Sequence, residues 1–248
     1  MKSNILSASS ESLIDFLKGH SGCSVELMKK TNSYFVRKIS SGIKYNSRLF
    51  KQMNKQINFM SPLFYSPKVY NKGYINRRFF FDMEFINGDT FASSVVGISE
   101  TLINQLIHGI HKANIQKYAK VNVNEKIYSK IQEIKKSPNF TSFYNIDSII
   151  EKINSHDFNQ IPISNCHGDL TLENIIINKD KIFMIDFLDS YVESYLVDYS
   201  KILQDSFLRW SFRLDKPREN VQVKLNIITE KINDFLLHKD QTGYLKKT

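Results

Sequence analysis

The chain has 248 residues and only two cysteines, Cys23 and Cys166. Two cysteines without metal-ligand spacing exclude a disulfide framework and a thiolate metal site, and they fit a reducing compartment. No window approaches 18 uncharged apolar residues, which excludes a transmembrane helix. The opening MKSNILSASSESLIDF lacks the apolar stretch and small-residue cleavage site of a secretory signal, so a cytoplasmic protein is expected. Internal repeats and low-complexity linkers are also missing. What remains is ordinary globular material, 42% hydrophobic and 24% charged. A chain this long buries about 70% of its unfolded surface and makes one or two domains.

Acidic residues are the minority: 25 against 34 basic ones, a net charge of +9. Such a balance invites a nucleic-acid partner. The basic residues are mostly lysines, however, and they are scattered. Small concentrations occur at Lys29–Lys30, Arg77–Arg78 and Lys246–Lys247, with no arginine stripe interleaved with aromatics. A nucleic-acid function is therefore not expected. A solvated lysine surface, or attraction of an anionic substrate such as a nucleotide, accounts for the charge.

Ser9–Ser10 before Glu11 reads as a helix start, with Leu13, Ile14, Phe16 and Leu17 as its apolar stripe and Gly19 and Gly22 as its end. VELMKK and SYFVRKIS read as a hairpin turning near Thr31–Asn32. Residues 44–60 suggest a helix, PKVY (67–70) and RRFFFDMEFI (77–86) two more strands. Phe79–Phe80–Phe81 implies a strand buried on both faces. Leu102, Ile103, Leu106 and Ile110 recur at helical spacing within 99–116. Helices are expected again near 123–136, 146–154 and 197–235. A strand-rich first third thus joins a helix-rich remainder near Gly88, a two-lobed α+β layout. Residues 1–87 would form the first lobe and 88–248 the second.

The densest chemistry lies in CHGDLTLENIIINKDKIFMIDFLDS (166–190). Ile175–Ile177 and Ile182–Ile185 are short apolar runs separated by turn residues, so the segment predicts a β-hairpin. Asn174 and Asp186 each lie six residues from Asp180, which places them opposite one another at its open end. Asp169 sits just upstream, in a loop with Gly168. Two oxygen ligands suit Mg²⁺, which takes one or two from protein and others from phosphate. A third carboxylate can orient or deprotonate a hydroxyl. That is a layout for phosphoryl transfer.

HGDLTLEN (167–174) followed by MIDF (184–187) resembles the aminoglycoside phosphotransferase/choline kinase-like family, which shares the protein-kinase fold. The resemblance implies a small antiparallel-sheet N-lobe that binds the nucleotide and a helical C-lobe that carries the catalytic loop and the acceptor. It implies ATP (or GTP) with Mg²⁺ as cofactors, and a small-molecule hydroxyl acceptor. Asp169 would be the catalytic base, Asn174 and Asp186 the metal ligands. His167 would brace the loop, and Asp198, in YLVDYSKILQD, would support it while capping a helix. Asp189 would contact the acceptor or end a turn. DMEFINGDTF (82–91) is similar to the family's hinge, where the backbone near Glu84 and Ile86 would meet adenine and Gly88 would let the chain turn. A fifth N-lobe strand is also implied.

A basic residue on the third strand should reach the phosphates. Alternation lets only one of Arg37 and Lys38 face the nucleotide, and Lys38, with Val36 on its side, is preferred. The pattern has two departures. The segment HSGCS (20–24) is a thin phosphate loop without G-x-G-x-x-G, and residues 44–60 hold no Asp or Glu to pair with the lysine. Gln52, Gln56 or Glu26 is the expected stand-in. These departures motivate an alternative, a non-catalytic nucleotide-binding or regulatory module of the same fold.

His108 and His111 suggest packing rather than a metal, and Cys166 a buried thiol rather than a nucleophile. Tyr191, Tyr195, Tyr199, Phe207 and Trp210 suit an acceptor pocket or the core. Asp189, Glu193 and Asp205 suit a cationic acceptor or a helix surface. Only 62 residues follow Asp186, which favours a compact acceptor, a sugar or an amino alcohol, over an aminoglycoside-like one.

Overall fold

The computed structural model describes residues 11–17, 22–112, 115–137, 146–214 and 218–239. Ser9, Ser10, Gly19, His20, Ser21, Lys246 and Lys247, named above, lie outside these residues.

Five strands form the first sheet: β1 (Glu11–Phe16), β2 (Ser24–Lys30), β3 (Ser33–Ile39), β5 (Val69–Ile75) and β6 (Arg78–Glu84), in the order β1-β2-β3-β6-β5. All neighbours run antiparallel. β1 corrects the expected helix over 9–17. Its apolar stripe is too short for a helix that must nucleate alone, and the open edge of β2 offers its backbone partners from Glu11↔Lys30 to Phe16↔Glu26. It is also the fifth strand that the family resemblance implied. Helix α1 (Asn46–Asn58) covers one face, packing Leu49 and Met53 on Val36, Phe79, Phe81 and Met83. Phe79, Phe80 and Phe81 are all buried, as the run implied.

The second sheet has four strands, in the order β4-β11-β10-β7. The hairpin β10 (Ile175–Asn178) and β11 (Lys181–Met184) is its centre. β4 (Phe64–Tyr65) joins β11 in parallel, and β7 (Asp89–Thr90) joins β10 antiparallel. The chain therefore meets this hairpin on both edges, once before and once after β5–β6. Gly88 is needed here for space rather than for a turn: a Cβ would stand 2.2 Å from the Ile177 carbonyl oxygen.

The helical part follows: α2 (Phe91–Ser94), α3 (Glu100–Lys112), α4 (Asn124–Lys135), α5 (Ile146–Asn154), α6 (Tyr195–Leu208) and α7 (Glu219–Lys239). Its core gathers Phe91, Ile103, Leu106, Leu172, Tyr199 and Ile228 among others. The helix expected over 99–116 stops at Lys112. Residues 115–121 instead form β8 (Ile115–Val121), antiparallel to β9 (Ile161–Ser164). Among the described residues, no helix is long and apolar enough to cross a membrane.

Candidate active site

The loop 166–174 joins β9 to β10, and α6 holds it. Ser194 caps α6, and Asp198 sits in the first turn, where the helix dipole favours a carboxylate. The Asp198 side chain accepts from His167 N (2.7 Å) and Gly168 N (2.9 Å). Burial pushes its carboxyl up to about 7, against the pull of those two N–H groups. Gly168 has φ +92°, and a Cβ there would stand 2.1 Å from the Leu188 carbonyl oxygen, so only glycine fits. The buried His167 ring places Nε2 at 2.6 Å from the Ile185 carbonyl and accepts at Nδ1 from Asp169 N. Burial holds it down at about 4, neutral at physiological pH. That is a bracing geometry.

The hairpin register differs by one residue from the expected one. Ile175 pairs Met184 and Asn178 pairs Lys181, with a two-residue turn at Lys179–Asp180. Asn174 therefore faces Ile185, whose N–H it receives at 3.0 Å. Asp186 lies one position further, in a left-handed conformation, φ +66°. Both still occupy the open rim. Asn174 Nδ2 donates to the Asp169 carbonyl (2.8 Å), which turns its Oδ1 the other way. Lys38, 3% exposed, reaches across from β3 and pairs with Asp186.

Arg37 lies on the opposite face of β3. Its guanidinium grips Asp82 through Nε (2.7 Å) and Nη2 (2.9 Å), reaches Glu11 at 3.0 Å and stacks on Phe80. Its placement away from the rim corrects its candidacy for the nucleotide: both of its acidic partners are on the outer face. Glu84 N donates to the Lys68 carbonyl, and Ile86 and Gly88 continue the strand end towards β7.

α1 supplies lysines rather than a carboxylate. Lys55 donates to the Leu188 carbonyl and Glu193, each at 2.9 Å, and Lys51 faces Asp189 at 3.7 Å. Gln56 Nε2 is engaged by the Pro67 carbonyl. Gln52 Oε1 is buried without a hydrogen-bond partner, and Glu26 receives the Ser24 hydroxyl. Cys166 is buried, and burial raises its thiol to about 12, which leaves no thiolate for nucleophilic work. His108 and His111 pack edge-on to Phe235. Among the described residues, no three of His, Cys, Asp and Glu group to hold a metal. A metal at this rim would rest on Asp186 and Asn174, and that pair of hard oxygens fits Mg²⁺.

Asp205 corrects its expectation as an acceptor contact. It is fully buried, and it binds Leu172 N and Ser211 N, both at 2.7 Å. Lys201, unremarked in the sequence, sets Nζ 3.1 Å from Asp169 Oδ1. Asp198, Lys201 and Asp205 share one face of α6 at spacings of three and four, and each grips a successive part of the loop. That spacing was the available signal. Tyr199 belongs to the core, whereas Tyr191, Phe207 and Trp210 are exposed.

The phosphotransferase enzyme family profile (APH) matches residues 14–222. No curated protein matches the chain. Among solved structures, the chain is similar to a protein provisionally named fructosamine-3-kinase from Haemophilus somnus 129PT: 17% identity, TM-score 0.53, covering 96% of this chain and 89% of that one. A protein provisionally named aminoglycoside phosphotransferase from Ralstonia eutropha JMP134 gives 17% identity and TM-score 0.57, with 90% and 76% covered. Aminoglycoside-3'-phosphotransferase of type VIII gives 12% and 0.52, with 89% and 93% covered. These likenesses show a two-lobed, protein-kinase-like fold.

Proposed function

The chain belongs to the phosphotransferase enzyme family, and from that premise we propose a kinase that moves the γ-phosphoryl group of ATP (or GTP) to a hydroxyl of a small molecule in the cytoplasm. The observation that carries the reading is the convergence of Lys38, Asp186, Asn174 and Asp169 on one rim. In this reading, residues 1–87 bind the nucleotide and residues 88–248 bring the catalytic loop and the acceptor. Glu84 N–H is taken by Lys68, so adenine falls to the other backbone groups of Glu84–Ile86. Lys38 lies against the phosphates. Asn174 Oδ1 and the Asp186 carboxylate would hold Mg²⁺, which supplies charge neutralisation on the phosphate oxygens when bound.

Asp169 orients the acceptor hydroxyl and takes its proton. The new O–P bond forms as the bond from the γ-phosphorus to the bridging oxygen breaks, and the nucleoside diphosphate leaves with that electron pair. His167 and Asp198 do not touch substrate; they hold Gly168 and Asp169 in place.

The test is a thermal-shift titration with ATP and GTP, each with and without Mg²⁺, on the wild type and Asp186→Ala. A ligand at 100 times its dissociation constant adds about 2.7 kcal/mol. A Mg²⁺-dependent shift lost in the variant supports the reading. No shift with either nucleotide refutes it. Asp169→Asn should keep the shift while losing turnover by about 10²–10⁴-fold.

A further inference from the structure

The acidic residues suited to a cationic acceptor are all engaged. Asp205 is buried on Leu172 and Ser211, Glu193 holds Lys55, and Asp189 faces Lys51. Besides the buried carboxylates of Asp198 and Asp205, which bind its backbone, two cations meet the side chains of the catalytic loop. Lys201 stands at Asp169, one-third exposed. Arg213 Nη1 lies 3.9 Å from Glu173 Oε2, within the same loop, and its guanidinium stacks on Trp210 at 4.6 Å. Trp210 itself is 45% exposed. Between them, Arg209 holds a left-handed conformation (φ +56°), and its buried Nε has no hydrogen-bond partner.

This segment is anchored. Asp205 accepts from Ser211 N at Oδ1 and from both the Ser211 hydroxyl and Leu172 N at Oδ2, so the turn 209–213 is fixed to the loop that carries Asp169. Lys201 sits one turn before Asp205 on the same helix face. Two cations and an open aromatic face are therefore held beside the catalytic loop, each cation one-third exposed and paired with one of the loop's carboxylates, where an incoming anion would gain a charge-assisted pair.

We propose that the acceptor carries an anionic group, phosphate or carboxylate, in addition to the hydroxyl that is phosphorylated. Lys201 and Arg213 bind that group, and Trp210 covers the adjoining apolar or ring face. On binding, the anion draws Lys201 from Asp169 and leaves that carboxylate to the hydroxyl. The inference rests on the phosphotransferase reading and narrows its acceptor class.

The test is calorimetric, on the full chain saturated with a non-hydrolysable ATP analogue and Mg²⁺, so that the phosphate site is filled. The probes are matched pairs: glycerol 3-phosphate with glycerol, glucose 6-phosphate with glucose, and glucuronate with glucose, with choline as the cation. At least one anionic member should bind about 10-fold or more tightly than its neutral parent, about 1.4 kcal/mol. Lys201→Met and Arg213→Gln should each cut that ratio to about 3-fold or less while keeping the wild-type melting temperature within a few degrees. The phosphate and carboxylate arms tell the two anions apart. Equal affinity within every pair, tightest binding of choline, or a ratio unchanged in both variants overturns the inference. Failure of the nucleotide analogue to bind sinks the phosphotransferase reading instead, and the anion ratios are then read on the free protein.

Discussion

Asp198→Asn sets two opposed effects against each other. The carboxyl is buried, which favours its neutral form, yet it accepts two backbone N–H bonds at 2.7 and 2.9 Å, which favour the ion. Burial wins, with the carboxyl at about 7, against about 3.9 in an unfolded chain. At 1.36 kcal/mol per pH unit, the interval is about 4 kcal/mol. A carboxyl that holds its proton more tightly when folded contributes stability at low pH and loses it as pH rises to about 7. Asparagine cannot titrate. It also turns an amide donor towards one of the two N–H groups, a constant loss of about 1–3 kcal/mol.

Urea unfolding of both proteins from about pH 4 to about pH 8 measures the difference. The wild type's advantage should shrink by up to about 4 kcal/mol over that range and stay level above it. With a slope of about 3 kcal/mol/M, that is about 1 M in midpoint. The difference between the proteins is the quantity to follow, because His167, present in both, slopes the other way. A gap that is constant with pH would refute the reasoning: Asp198 would then be an ordinary ionised carboxylate whose two N–H bonds outweigh its burial.

Four further outcomes follow from the geometry. His167→Gln should make the protein less acid-labile: the ring sits at about 4 against about 6.5 unfolded, so the wild type loses about 3 kcal/mol through it as pH falls across that interval, visible in the same urea series. Arg37→Met should destabilise by about 3–5 kcal/mol, because it leaves the buried Asp82 without its cation, while nucleotide affinity stays unchanged. Lys38→Met should do the reverse in nucleotide titrations and weaken binding 10-fold or more, an order-of-magnitude expectation for a charged contact. Gly168→Ala should cost about 3 kcal/mol or more in thermal unfolding, from a 2.1 Å clash with a carbonyl at positive φ; a neutral result would mean that the loop has another seat.

The hairpin and its loop were legible because their interactions are short in sequence. Hydrophobic runs, turn residues and the HGDLTLEN spacing all act within about two dozen positions. β1 was not, because its six residues take their conformation from the edge of β2 rather than from their own stripe. β8 was hidden in the same way: its partner β9 lies some forty residues on. Alternation separated Arg37 from Lys38, but α1 on the Val36 face, and Asp82 with Glu11 on the other, decide which serves the rim. Lys201 escaped notice for a related reason. Helical spacing says that Asp198, Lys201 and Asp205 look the same way, not what they look at.

The double attachment of the β10–β11 hairpin constrains how the site can breathe. β4 grips one edge and β7 the other, so the two anchor points are about 14 Å apart across three strand spacings. The chain enters β5–β6 from one of these attachments and leaves it into the other. The last two strands of the sheet that carries Lys38 are thus moored to both edges of the sheet that carries Asn174 and leads into Asp186, and the Lys38–Asp186 pair spans the two.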